Sequence, residues 1–197
     1  MKALLIFATV CVSTAYAADA RIDALLARFH EPSEVASASK QLKSLVSSSP
    51  DLKRELTTDL MSRLSDTTDP AAWRAEAALV GDLQLADLAP ILAASLDTDM
   101  RGGGSNHDIL TNHIRMSLDY DPAAKALVAL GPLSVTATQK ELNAGNRIGR
   151  IRAVNVLTNI GGPDVEATLR QRYAIETDPR VRNMIAAHLN ISTTPQQ

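Results

Sequence analysis

Arg150-Ile151-Arg152-Ala153-Val154 returns thirty residues later as Arg180-Val181-Arg182-Asn183-Met184. The same step links Leu127-Val128-Ala129-Leu130-Gly131 to Leu157-Thr158-Asn159-Ile160-Gly161. A fixed period of this size marks a stack of similar supersecondary units, each burying its apolar face against the next. Such a stack has one continuous core and a long side surface available for binding. The repeat therefore constrains architecture before any single residue constrains chemistry.

The apolar spacing is helical almost throughout. Ile22, Leu25, Leu26 and Phe29 fall at i, i+3, i+4 and i+7, the stripe of a helix facing a core. Leu52, Leu56, Leu60, Met61 and Leu64 form another stripe, and Trp73, Ala77 and Val80 a third, with Trp73 expected in the core. Val154, Leu157 and Ile160, then Val165, Leu169 and Tyr173, then Val181, Ile185 and Leu189 continue the pattern. No stretch alternates with period two over the length of a strand. Helix starts are expected at Asp69-Pro70, Asp121-Pro122 and Asp178-Pro179, because Asp accepts the orphan N–H bonds and Pro suits the first helical position. Stops are expected at Gly81, Gly131 and Gly161-Gly162, where glycine can adopt the left-handed cap.

Asp178-Pro179-Arg180-Val181-Arg182, followed by an apolar helix, resembles the second helix of a HEAT repeat. Gly161-Gly162-Pro163-Asp164-Val165 is similar to the turn between repeats in the short bacterial variety. The resemblance is good over 121–190 and looser over 51–96, and Arg74-Ala75 stand where it would place a Val-Arg pair. It implies an all-α fold: a HEAT-like α-solenoid of about eleven short antiparallel helices. It also implies that Arg152 and Arg182 bond to acids or carbonyls of the adjoining repeat.

At the N-terminus, Lys2, the apolar run 3–12 and Ala15-Tyr16-Ala17 read as a secretory signal peptide, 1–17. The run is too short to span a bilayer, which takes about 20 residues. Cleavage after Ala17 would deliver a chain to the periplasm without its lone cysteine, Cys11, so its core carries stability without disulfides. The remainder reads as one solenoid domain, 18–190, with an N-terminal cap at 18–50, an insertion at 100–120 and a flexible tail at 191–197. The insertion is inferred from the step, which is fifty residues from Gly81 to Gly131 but thirty from Gly131 to Gly161.

The net charge is −2, or −3 once Lys2 is lost, which argues against a nucleic-acid binder. Charge is nevertheless uneven: residues 51–100 sum to −6 and residues 139–182 to +3. That asymmetry suits electrostatic steering of a protein partner. Arg147, Arg150, Arg170 and Arg172 are the candidate contacts to an acidic partner, joined by Arg101, His107 and Asp108 from the insertion, where binding loops concentrate in repeat proteins. His107, Asp108 and His113 are the one combination with metal-binding side chains, but their spacing does not bring both histidines to one helix face. No nucleophile elbow, phosphate loop or dinucleotide fingerprint is present, and aromatics make up only 3%. The expectation is a non-enzymatic protein-binding or scaffolding module without metal or cofactor, not inserted in a membrane once the signal is cleaved. The alternative is a periplasmic immunity or inhibitor protein that blocks a toxin or hydrolase.

Overall fold

The computed structural model describes residues 20–66, 68–97, 118 and 121–191. The described residues are helical and include no strand. Among the described residues, nine α-helices lie between Val35 and His188, after a helical segment at 20–27, against about eleven expected for the whole chain. The chain divides into two compact units, Met1–Glu76 and Ala77–Gln197.

The first unit contains the segment 20–27 (α1), the 3-10 turn Arg28–His30, α2 (Val35–Ser47), α3 (Pro50–Asp66) and the opening of α4 (Pro70–Leu83). Its core is built from the stripes that the spacing picks out: Ile22, Leu26, Phe29, Leu42, Leu56, Leu60, Leu64 and Trp73 are all buried. Trp73 satisfies its indole N–H by donating to the Leu64 carbonyl at 3.1 Å. Met61 departs from the expected stripe and is 42% exposed, since it lies at the edge of the arc centred on Leu56, Leu60 and Leu64. Asp69 caps α4 as expected, accepting from Ala71 N at 2.8 Å, while its other oxygen lies 2.6 Å from His30 Nδ1. The hydrogen bond to His30, then that from Ala71, holds the Asp69 carboxyl below its ordinary range. Glu76 is fully buried and takes Arg63 Nε at 2.6 Å. Burial outweighs that arginine and raises the Glu76 carboxyl.

The second unit takes the rest of α4, the 3-10 turn Ala86–Leu88, α5 (Ala89–Ala94), the 3-10 turn Ser95–Asp97, α6 (Pro122–Leu130), the 3-10 turn Gly131–Ser134, α7 (Val135–Ala144), α8 (Arg147–Ile160), α9 (Pro163–Ile175) and α10 (Pro179–His188). Two rows are formed by the contacts among them. In one, α5 packs on α7, which also meets α9; in the other, α6 packs on α8, and α8 on α10. Rungs join the rows where α5 meets α6, α7 meets α8, and α9 meets α10. The central member is α8, buried from Ile151 through Leu157 without a solvent face, as expected for a helix enclosed by neighbours.

The caps expected at Asp121 and Asp178 form. Asp121 accepts from Ala124 N at 3.0 Å, and Asp178 accepts from Arg180 N at 2.9 Å. Four helices stop just before a residue with positive φ: α4 before Gln84 (53°), α6 at Gly131 (58°), α8 at Gly161 (70°) and α10 before Asn190 (54°). Gly81 is therefore not the stop that the sequence implied. It lies inside α4, where a Cβ would stand 3.0 Å from Ala129 Cβ and 3.2 Å from Ala126 Cα. Its missing side chain lets α4 approach α6 closely. Gln84 then ties the two helices, donating from Nε2 to the Gly81 carbonyl at 2.9 Å and the Ala129 carbonyl at 2.8 Å.

Candidate functional site

Helix ends of the second unit gather a set of charged side chains. Glu176 follows the last turn of α9 and its side chain has no exposed surface. Arg172, one turn earlier, donates to Glu176 Oε2 from Nε at 3.0 Å and from Nη2 at 2.8 Å. Arg150, in the first turns of α8, donates from Nε to the same oxygen at 3.1 Å and from Nη1 to the Gly145 carbonyl at 2.9 Å. The Asp178 N–H donates to Oε1 at 2.8 Å. Arg147 extends the set, with Nε 3.0 Å from Asp178 Oδ2. Burial pushes the Glu176 carboxyl up, but the Asp178 N–H, the Arg172 hydrogen bonds and the charges of Arg150 and Arg172 outweigh it, and the net shift is downward.

Three of the seven candidate contact residues are thus drawn together: Arg147, Arg150 and Arg172 meet around Glu176 and Asp178. Arg150 and Arg172 are largely enclosed, with side chains 19% and 13% exposed. Arg170 stands apart on the outer face of α9, 57% exposed and 3.9 Å from Glu166. Arg101, His107 and Asp108 lie outside the described residues. The chemistry of the cluster is ion pairing rather than proton transfer or nucleophilic attack. Two guanidiniums already share one carboxylate, while Arg147 and Arg170 keep the more exposed side chains.

The resemblance placed Arg152 and Arg182 in structural roles. Arg152 is buried, donates from Nη1 to the Leu96 carbonyl at 3.1 Å and lies 3.4 Å from Asp121 Oδ2. Arg182 departs from the bond to an acid or carbonyl that the resemblance implied: it is exposed and stacks over the Tyr173 ring, 4.5 Å from its centre, within the range of a cation–π contact.

Sequence reasoning missed a second polar feature beside the cluster. Asp97 and Glu141 converge on Gly149 in the first turn of α8. A Cβ on Gly149 would collide with Asp97 Oδ1 and Glu141 Oε1, and one on Gly145 would collide with Glu141 Oε1. Asn146, which caps α8 by accepting from Ile148 N at 2.8 Å and Gly149 N at 3.0 Å, also donates from its own N–H to Asp97 Oδ1 at 3.0 Å. Asp97 and Glu141 lie far apart in the chain, so no local spacing announces them. The one available hint is the pair of glycines at Gly145 and Gly149, flanking a cap where bulk would otherwise be tolerated.

Among the described residues, no three His, Cys, Asp or Glu side chains come together as a metal site, and no helix is long and apolar enough to cross a membrane. No protein-family model, curated protein or solved structure matches the chain.

Proposed function

We propose that this chain is an exported HEAT-like α-solenoid that binds an acidic protein partner, as a scaffold or adaptor in the periplasm. The observation that carries this reading is the double row of helices in the second unit. Helices α6, α8 and α10 each begin on an Asp or Asn side-chain cap, end next to a residue of positive φ and lie against one another in sequence order, with α5, α7 and α9 beside them. Repeats stacked in this way expose a long lateral surface, and that surface rather than an enclosed pocket is what such arrays use. Arg170, Arg180 and Arg182 are exposed on α9 and α10, alongside the acids Asp164 and Glu166 of α9, and these arginines with the flank of Arg147 are the contacts we assign to the partner. Arg101, His107 and Asp108, which lie outside the described residues, stay candidates for contact with the same partner.

Photo-crosslinking in cells tests it. A photoreactive residue replacing Arg170 or Arg180 is expected to give one discrete protein adduct in the periplasmic fraction. That adduct should weaken when Arg147→Glu is added, since charge reversal at an interface rim slows association. No adduct from either position, or a chain recovered only from the cytosol, would overturn the reading.

A further inference from the structure

The carboxyl groups of Asp97 and Glu141 face each other where the turn Ser95–Asp97 meets the start of α8. Their meeting is built in: both glycines that would otherwise put a Cβ into this space, Gly145 and Gly149, lack one. Asp97 is fixed there from both ends, its Oδ1 accepting from the Asn146 N–H at 3.0 Å and its carbonyl accepting from Asn146 Nδ2 at 3.1 Å. Glu141 Oε1 is shut off from water and meets no donor. Two ionised carboxylates in such a position repel, and a buried oxygen without a donor is costly. A single proton between them removes both penalties.

We propose that Asp97 and Glu141 form a proton-operated latch, in which protonated Glu141 donates to Asp97 and holds the turn Ser95–Asp97 against the last turn of α7, beside the start of α8, and loss of that proton to solvent loosens the joint. Among the described residues, no competing counter-charge is aimed at the pair. Of the elements packed on α7, α5 and the turn Gly131–Ser134 contain no ionisable side chain. On α8, Arg147 and Arg150 are engaged by Asp178 and Glu176, and Arg152 by Leu96 and Asp121. On α9, Arg172 is held by Glu176, while Asp164, Glu166 and Arg170 are exposed. Lys140 of α7 and Lys125 of α6 are exposed as well. Burial first, then the hydrogen bond to Asp97 and its charge, push the Glu141 carboxyl up to about 7. The folded protein therefore keeps a proton that the unfolded chain releases above the ordinary value of 4.5. The latch is strongest below that value, weakens as pH rises towards 7 and gains nothing beyond it.

The Asn146 amide, which donates to Asp97, reports the latch in the full-length chain. Its hydrogen exchange, corrected for the intrinsic pH dependence, is expected to lose about tenfold or more of its protection between pH 5.5 and 8, a floor set below the full shift because the pair keeps some solvent. In Glu141→Gln the amide side chain donates to Asp97 at every pH, so protection should stay flat. A carbon-13 titration of the wild-type Glu141 carboxyl serves if that variant does not fold, and its midpoint is expected near neutrality. An unchanged pH slope in Glu141→Gln, or a wild-type midpoint in the ordinary carboxylate range, would overturn the latch.

Discussion

Removing the carboxylate of Glu176 tests whether the arginines around it are tied into the fold. Glu176→Ala leaves Arg150 and Arg172 charged and mostly enclosed, and leaves the Asp178 N–H without the acceptor it meets at 2.8 Å. Deleting one partner of a fully buried ion pair costs about 3–5 kcal/mol. Both guanidiniums here keep some solvent, which brings the expected loss to about 2–4 kcal/mol after discounting for screening. Arg170→Ala, by contrast, breaks only a long and exposed pair and should cost under about 0.5 kcal/mol. Glu176→Gln should fall between, because the amide still accepts from Asp178 but no longer neutralises two cations. The pH dependence has a definite sign. The folded value of Glu176 is depressed, so its contribution is present above 4.5 and disappears as pH falls through the folded value. Wild type and Glu176→Gln should therefore converge in acid. Urea unfolding followed by circular dichroism, with hydrogen exchange on α9 and α10, supplies the measurement. A Glu176→Ala protein within about 0.5 kcal/mol of wild type, or an Arg170→Ala loss of equal size, would refute the assignment of these arginines to the fold.

Three further outcomes follow from the structure. Gly81→Ala should destabilise by about 1 kcal/mol in thermal unfolding: the gain of about 1 kcal/mol in helix propensity is outweighed by a clash with Ala129 Cβ and Ala126 backbone, neither able to swing away, and a raised melting temperature would show the approach to be looser than described. Leu157→Ala, at a position with no exposed surface in the middle of α8, should cost about 2–5 kcal/mol in the same assay, and an indifferent variant would contradict the central place given to that helix. N-terminal sequencing of the chain from a periplasmic extract should begin at Ala18, and an intact Met1 would end the export proposal.

Helix class was legible in the sequence because apolar spacing and Asp-Pro caps are local, and local features survive folding. Trp73 and Leu157 are buried for the same reason. Gly81 was misleading because a glycine that ends a helix and one that admits a neighbour look alike in sequence. The difference lies in Ala126 and Ala129, which only tertiary packing brings close. The stop actually used, Gln84 at positive φ, has no residue preference to betray it. The basic stretch 139–182 was read as a surface charge. Its own acids, Glu176 and Asp178, turn out to occupy Arg150, Arg172 and Arg147. The Arg172–Glu176 pair at i, i+4 was the visible clue. For Asp97 and Glu141 the only clue was indirect, in Gly145 and Gly149.

Arg152 has one more consequence. Its guanidinium touches the Leu96 carbonyl and approaches the Asp121 carboxylate, so one side chain of α8 joins two points that are distant in the chain. A segment whose exit and return are pinned together contributes to the fold's free energy chiefly through the entropy of closing it. That term grows only logarithmically, by about 0.6 kcal/mol for each doubling of length. One buried arginine of α8 thus sets the end of the turn Ser95–Asp97 against the start of α6 by direct contact, whatever the length of the chain that joins them.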